Sequence, residues 1–502
     1  MDWGASADYL ERNALVLEAV IKWVNNKKAA DGVSTQPNVV LGQSMGGILS
    51  RYALKDLENQ GYNHQTRLFI NWDGPMQGAN VPMAYQHLNR HINDVYIQSN
   101  IPNLLGRVNP NIRMVATNAL NLIDQPAPQE MLMNRALDNG TTSNTMHSAW
   151  QAKLLAIGYP AQCRNVAVSN GSECGLSQNY GPYTDLVNFN GNLNTRFLAD
   201  VALQVPIVGG VSIGDAVFTA LGYAFNNYWI TALGILPGRN TFSMSADMKA
   251  QPNGTSQQIY SLNISYKKTL LWLIPITVTI TNRTRNADPA IIPVDGSPGG
   301  YYSTGITSSN SSLSNLLIKY NISLTSIPQF NFVPTTSSLD IGGGNTTLQL
   351  SDYNARYIGA APPVAPLNTP FANFTTEFDL NQTCVDDACT IKDNNEQHIE
   401  ITARNGDWAA AELNGAPTTT NCSGACSNNV ISGPGSFCTS ATYTVPGIVG
   451  NNIVTWSVIP TGIVSLTPNG NNVTLIEITP YPQIILTASI TSNCSGTPLV
   501  LS

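Results

Sequence analysis

Residues 38 to 50 read Asn38-Val39-Val40-Leu41-Gly42-Gln43-Ser44-Met45-Gly46-Gly47-Ile48-Leu49-Ser50. An apolar run ends in G-x-S-x-G, and a second apolar run, Ile48-Leu49 then Tyr52-Ala53-Leu54, starts at once. That pattern is a strand, a sharp turn and a helix. The turn holds its serine in a strained conformation that lifts Oγ off the sheet edge, so a Cβ at Gly42 or Gly46 is expected to strike the neighbouring strand or helix. Ser44 is therefore the candidate nucleophile. G-x-S-x-G also occurs in plain glycine-rich turns, and it is the strand before and the helix after that make it specific here.

Working outward, residues 9 to 26 place Leu10, Leu17, Val20, Ile21 and Val24 at largely helical spacing, which predicts a helix with one buried face. The Ser44 helix runs to about Asn59, and a strand, Arg67 to Trp72, ends in Asp73-Gly74-Pro75. Strands alternating with helices predict an α/β fold with a parallel sheet covered on both faces. Residues 80 to 160 read as a helical covering lobe, and Cys163 to Ser169 as a further sheet strand leading into Asn170-Gly171. Residues 185 to 325 read as a lid and β-rich insertion. Within it, 200 to 238 are nearly free of charge but broken by glycines and Pro237, unlike a membrane span of about 20 unbroken apolar residues. Pro275, inside Leu270 to Ile280, predicts an edge strand or bend. The first domain is read as 1–415, Thr-rich 416–421 as a linker, and the short strands of 422–502 as an all-β sandwich.

Composition narrows the function classes. The charged fraction is 11%, against roughly 25% in an average soluble protein, and Asn, Ser, Thr and Gly take its place. That is the surface of a secreted or cell-surface protein. A net charge of -7 without a basic cluster argues against nucleic acid as partner. The eight cysteines include the near neighbours Cys163/Cys174, Cys384/Cys389 and Cys422/Cys426. None has zinc-like C-x2-C spacing, so disulfides are expected and neither metal nor cofactor is called for. Met1-Asp2-Trp3-Gly4 has no leader-like region and Leu499 to Ser502 stop in mid-pattern, which reads as a piece of a longer secreted protein or a misplaced start.

A serine hydroxyl needs a base to take its proton and a carboxylate to orient that base. Of five histidines, His64, His87, His91 and His147 read as polar surface or lobe packing. His398 follows the last sheet strand, in the order Ser, acid, His, and is the candidate base. The commonest place for the acid, after the Cys163 to Ser169 strand, holds Asn170. Asp73 lies one strand earlier, at the carboxyl edge where α/β sites form, and is favoured over Asp340, Glu173 and Asp379. The Met45 N–H is the expected oxyanion donor. A second donor is expected from a loop upstream of Met1.

These residues resemble the lipase-like α/β-hydrolases, particularly the large secreted ones of Bacteroidetes-type bacteria. The resemblance is carried by Gly42-Gln43-Ser44-Met45-Gly46-Gly47, Asp73-Gly74-Pro75-Met76-Gln77-Gly78-Ala79, Phe332-Val333-Pro334-Thr335 and Asn395-Glu396-Gln397-His398-Ile399. It implies an α/β-hydrolase sheet whose first strands are missing and an acyl-enzyme on Ser44. Gln43 and Met76 stand where the family has histidines, and both are expected at the substrate. The segment from Cys422, with Cys438, Trp456 and Cys494, resembles an immunoglobulin- or PKD-like module with a spacing or adhesion role. Two functions follow: a secreted serine esterase acting on a small-molecule or lipid ester, or a non-catalytic surface binding protein on a decayed hydrolase scaffold.

Overall fold

The computed structural model describes residues 7–32, 36–96, 123–172, 175–195, 233, 238–271, 273–314, 318–354, 368–376, 378–379, 392–417, 431–445, 453–491 and 499–501. Residues 200–232 and 234–237 of the expected lid and most of the 416–421 linker lie outside them.

Helix α1 (Leu10–Asp31) leads to β1 (Asn38–Gln43), α2 (Met45–Asn59) and β2 (Thr66–Trp72). After the covering lobe come β3 (Arg164–Val168) and, far along the chain, β12 (Asn373–Thr375). The four strands form one parallel sheet in the order β1-β2-β3-β12. Leu68, Phe69, Ile70 and Trp72 are consecutive or nearly so and all buried, because a parallel sheet has no solvent face. One face packs Phe69, Ala167 and Phe374 against Leu54 and Leu57 of α2 and Ile21 of α1. The other packs Leu68, Ile70, Val166 and Val168 against Trp408 and Ala409 of α6 (Ala403–Leu413). Removing the Trp408 side chain from that interface is worth about 3–5 kcal/mol.

The lobe contains α3 (Met83–Tyr96), α4 (Pro126–Met131) and α5 (Thr145–Ile157). A second sheet follows, built from β4 (Asp185–Thr195), β5 (Gly238–Lys249), β6 (Gln258–Leu270), β7 (Ile274–Asn286), β9 (Ser309–Ser314) and β10 (Ile318–Ser326). It is antiparallel, ordered β9-β10-β4-β5-β6-β7, and β7 with its Pro275 is an edge strand. Alternate residues of β6, Tyr260, Leu262 and Ile264, pack against Ala84, Tyr85 and Leu88 of α3, the period-two burial of a half-covered sheet. A two-stranded antiparallel sheet pairs β8 (Gly299–Ser303) with β11 (Gln329–Pro334). Buried Asp295 ties these parts together, accepting from Asn80 Nδ2 at 2.9 Å and from the Gln251 N–H at 2.7 Å.

The C-terminal segment forms two three-stranded antiparallel sheets. One is β13 (Ser440–Thr444), β16 (Asn472–Glu477) and β15 (Val464–Asn469), the other β14 (Ile453–Ile459), β17 (Ile485–Thr491) and β18 (Leu499–Leu501). Trp456 packs against the apolar clusters of both. The disulfide expectation is corrected at two positions: Cys163 and Cys438 carry free thiols. Cys163 packs beside the core and donates to Asn165 Oδ1 at 3.4 Å, and burial pushes its thiol up to about 12. The other six cysteines lie outside the described residues.

Candidate active site

Ser44 occupies the break between β1 and α2 with φ 51° and ψ -127°, a conformation that costs a non-glycine residue of order 1–3 kcal/mol and clusters at functional sites. Its N–H donates to Trp72 O at 3.0 Å and its carbonyl accepts from Gly47 N–H at 2.9 Å. A Cβ at Gly42 would sit 2.3 Å from Gly46 O, so that glycine is sterically required. The expectation for Gly46 is corrected, since a Cβ there meets nothing within 4 Å. The clash falls instead on Gly47 and Gly74, where a Cβ would approach Asn71 Oδ1 to 2.0 and 2.1 Å. Asn71 is locked in turn by donating to Ser338 O at 2.8 Å.

Asp73 follows β2 directly. It is fully buried, has φ 45°, and its N–H donates to Val168 O at 2.7 Å. Its two carboxylate oxygens divide their work: Oδ2 lies 2.8 Å from His398 Nδ1 and Oδ1 accepts the Asn170 N–H at 3.1 Å. Gly300 makes room, because a Cβ there would lie 2.1 Å from Oδ2. The sequence reading missed Gly300; the double glycine Gly299-Gly300 was its available signal.

His398 completes the chain with Nε2 2.7 Å from Ser44 Oγ. Its loop is held from two sides. The His398 N–H donates to Tyr301 O at 2.8 Å and Tyr301 N–H to Glu396 O at 2.9 Å. On the other side Glu400 O accepts from Asn170 Nδ2 at 2.9 Å and Asn405 Nδ2 at 3.1 Å. Thr402 and Asn405 then form a reciprocal cap that starts α6, satisfying helix donors that would otherwise be orphaned. The Phe332 ring packs edge-on to the imidazole with centroids 4.9 Å apart, and Tyr302, 55% exposed, continues the aromatic surface beyond it.

The other candidates are placed elsewhere. Asp340 is buried, but its carboxylate is taken by Arg51, Tyr159 and Gln77, so it is not the partner of His398. Glu173 and the Asp379 side chain lie outside the described residues. Met76 is corrected as a substrate contact: it is fully buried among Leu54, Phe69 and Leu339, with no face toward solvent. Gln43 is exposed beside Ser44. Met45 opens α2, and the first N–H groups of a helix have no intrahelical acceptor and sit at its positive end. The remaining histidines are all buried. His64 Nδ1 accepts from Thr66 N–H at 3.1 Å, His91 bridges the Tyr260 and Thr281 hydroxyls, and His147 Nδ1 meets Glu130 O.

Among the described residues no cluster of His, Cys, Asp or Glu is placed to hold a metal ion, and no helix is long and apolar enough to cross a membrane. A cleft of about 780 Å³ in the C-terminal segment is lined by Phe437, Tyr443 and Tyr481, but by none of Ser44, His398 and Asp73. Comparison with protein-family models, curated proteins and solved structures finds no match. Function has to be argued from this geometry.

Proposed function

We propose that the chain is a serine hydrolase of α/β-hydrolase type that cleaves carboxylic esters through an acyl-enzyme on Ser44. One observation carries the reading: the hydrogen-bonded chain from Asp73 Oδ2 through His398 to Ser44 Oγ, with links of 2.8 and 2.7 Å. His398 Nε2 takes the Ser44 proton as Oγ adds to the ester carbonyl, and returns it to the departing alcohol. Water, deprotonated by the same nitrogen, then releases the acid. Buried Asp73 fixes the imidazole tautomer and stabilises the imidazolium that forms. The Met45 N–H is offered to the developing oxyanion, a donor worth about 3–4 kcal/mol in such sites. The aromatic surface formed by half-buried Phe332 and exposed Tyr302 suits an apolar substrate chain. Secretion, and an immunoglobulin- or PKD-like spacing role for 422–502, belong to the same proposal.

Treatment with a fluorophosphonate and a p-nitrophenyl ester tests it. The expected result is one equivalent of label on Ser44, ester turnover, and loss of both in Ser44→Ala. A folded protein that neither labels nor turns over would leave the non-catalytic binding scaffold as the better reading.

A further inference from the structure

Charge is scarce in this chain and its net sign is negative, yet one end of the six-stranded sheet has the opposite character. Residues 188–195, 238–246, 262–270, 274–282, 309–314 and 318–324 contain no Asp or Glu and four cations, Arg239, Lys267, Lys268 and Lys319. Lys268 is buried, donating to Gly238 O and Asn240 Oδ1. The other three are exposed, and the register places them together. Lys319 pairs with Asn194, Asn194 with Thr241, and Thr241 with Lys267. Directly paired residues share a sheet face, as do residues two apart along a strand, so Arg239, two before Thr241, joins the same face. At roughly 4.8 Å per strand, Lys319 and Lys267 are about 14 Å apart.

Above this basic row stands the turn joining β6 to β7. It is closed by a Leu273 N–H to Leu270 O hydrogen bond of 2.9 Å. Leu271, Leu273 and Ile274 are 59, 82 and 58% exposed. Leu271 holds φ 48°, where glycine or asparagine is at ease and a leucine is strained. Neither stability nor solubility accounts for bulky apolar side chains at a strained, solvated tip. The tip also lies roughly 40 Å along β6 from the end that Asp295 ties to the rest of the protein, so it does not line the Ser44 site.

We propose that this end of the sheet docks onto an anionic lipid surface, with Leu271, Leu273 and Ile274 entering the headgroup region and Arg239, Lys267 and Lys319 meeting the lipid phosphates. Apolar side chains flanked by an acid-free basic row match such an interface in polarity and in charge. The inference stands whether or not Ser44 is reactive.

The full chain is sedimented with phosphatidylcholine vesicles and with vesicles containing phosphatidylglycerol. The protein is expected on the anionic vesicles, and added salt lowers the bound fraction. L271S/L273S/I274S lowers the partition coefficient by about tenfold per side chain. R239E/K267E/K319E removes the preference for anionic vesicles and its salt dependence. All six positions are exposed, so both variants are expected to keep the wild-type thermal midpoint, and Ser44→Ala binds like wild type. Wild-type protein that stays in solution, vesicle binding unchanged in the apolar variant, or a tip-dependent dimer formed without lipid would each overturn the proposal.

Discussion

The backbone N–H of Asn170 donates to Oδ1 of Asp73 at 3.1 Å, so the residue standing where a carboxylate is usually sought holds the carboxylate that meets His398. With Oδ1 occupied by Asn170 and Oδ2 by His398, Asp73 must accept at both oxygens. An asparagine offers one acceptor and one donor. Asp73→Asn is expected to keep the fold and lose about four orders of magnitude in kcat on p-nitrophenyl esters. Asn170→Ala keeps the backbone donor but drops the bond to Glu400 O, loosening the His398 loop. About a tenfold fall in kcat with KM unchanged is expected. Wild-type kcat in the first variant would remove Asp73 from the mechanism.

Gly42 and Gly46, the two glycines of the pentapeptide, are predicted to behave oppositely. Gly42→Ala drives a methyl into the Gly46 backbone, 2.3 Å away, and no flexible side chain is there to yield. Soluble folded protein is expected to be lost. Gly46→Ala meets open space inside a helix, where alanine is favoured by roughly 0.5–1 kcal/mol. Its thermal midpoint should hold or rise slightly, so any fall in ester turnover reports on substrate rather than on folding.

These contrasts show what could be read in advance. The Ser44 turn is local, with its strand, serine and the start of its helix within 13 consecutive positions, so periodicity and glycines reveal it. The burial of β2 on both faces was legible for the same reason. Asp73 was harder, since a turn acid before Gly74-Pro75 looks the same until β3 brings Asn170 against it. Met76 misled because its apolar, motif-adjacent position has two readings, pocket wall or core, and only packing separates them. Gly46 misled because a motif states which residues recur without stating which atoms collide. The closeness of Tyr301 and Phe332 to His398 comes from pairing between chain segments far apart in sequence, which no local pattern encodes.

Acid is predicted to loosen the lobe through His87. Its imidazole is buried between α3 and the antiparallel sheet, facing Arg90, His91, Tyr260, Arg283 and Arg285. Burial first, then the charges of Arg285 and Arg90, push it down to about 4. Unfolded, the group titrates near 6.5. Between those values the unfolded chain binds the extra proton, so stability rises with pH across this window. The contribution is complete above about pH 6.5 and lost as pH falls toward 4, roughly 3 kcal/mol in all at 1.36 kcal/mol per unit. Urea midpoints of the wild type and His87→Gln at pH 7 and pH 4 check this. Equal acid losses in the two proteins would show that His87 carries no such linkage.

The last prediction concerns the pair that seats the Ser44 helix. Arg51, in α2, places Nη1 3.0 Å from Asp340 Oδ2, donates to Leu154 O and Gly158 O, and lies over the Tyr159 ring at 3.8 Å. Tyr159 donates to the same carboxylate at 2.7 Å, and its phenol is raised well above its usual range by burial, so it stays a donor. Both charges are nearly inaccessible, with side-chain exposures of 4 and 2%. In that setting the cost lies in leaving one charge alone rather than in losing the attraction. Arg51→Met strands Asp340 and should cost about 3–5 kcal/mol, whereas Arg51→Met with Asp340→Asn removes both charges and should recover much of the loss. Arg51→Lys cannot reproduce the planar fork that reaches two carbonyls and a carboxylate at once, so it should behave like the single loss. Urea unfolding of these variants, with Asp340→Asn alone to close the double-mutant cycle, measures the coupling. A double variant no more stable than Arg51→Met would mean that packing of the guanidinium, and not charge pairing, is what seats the helix.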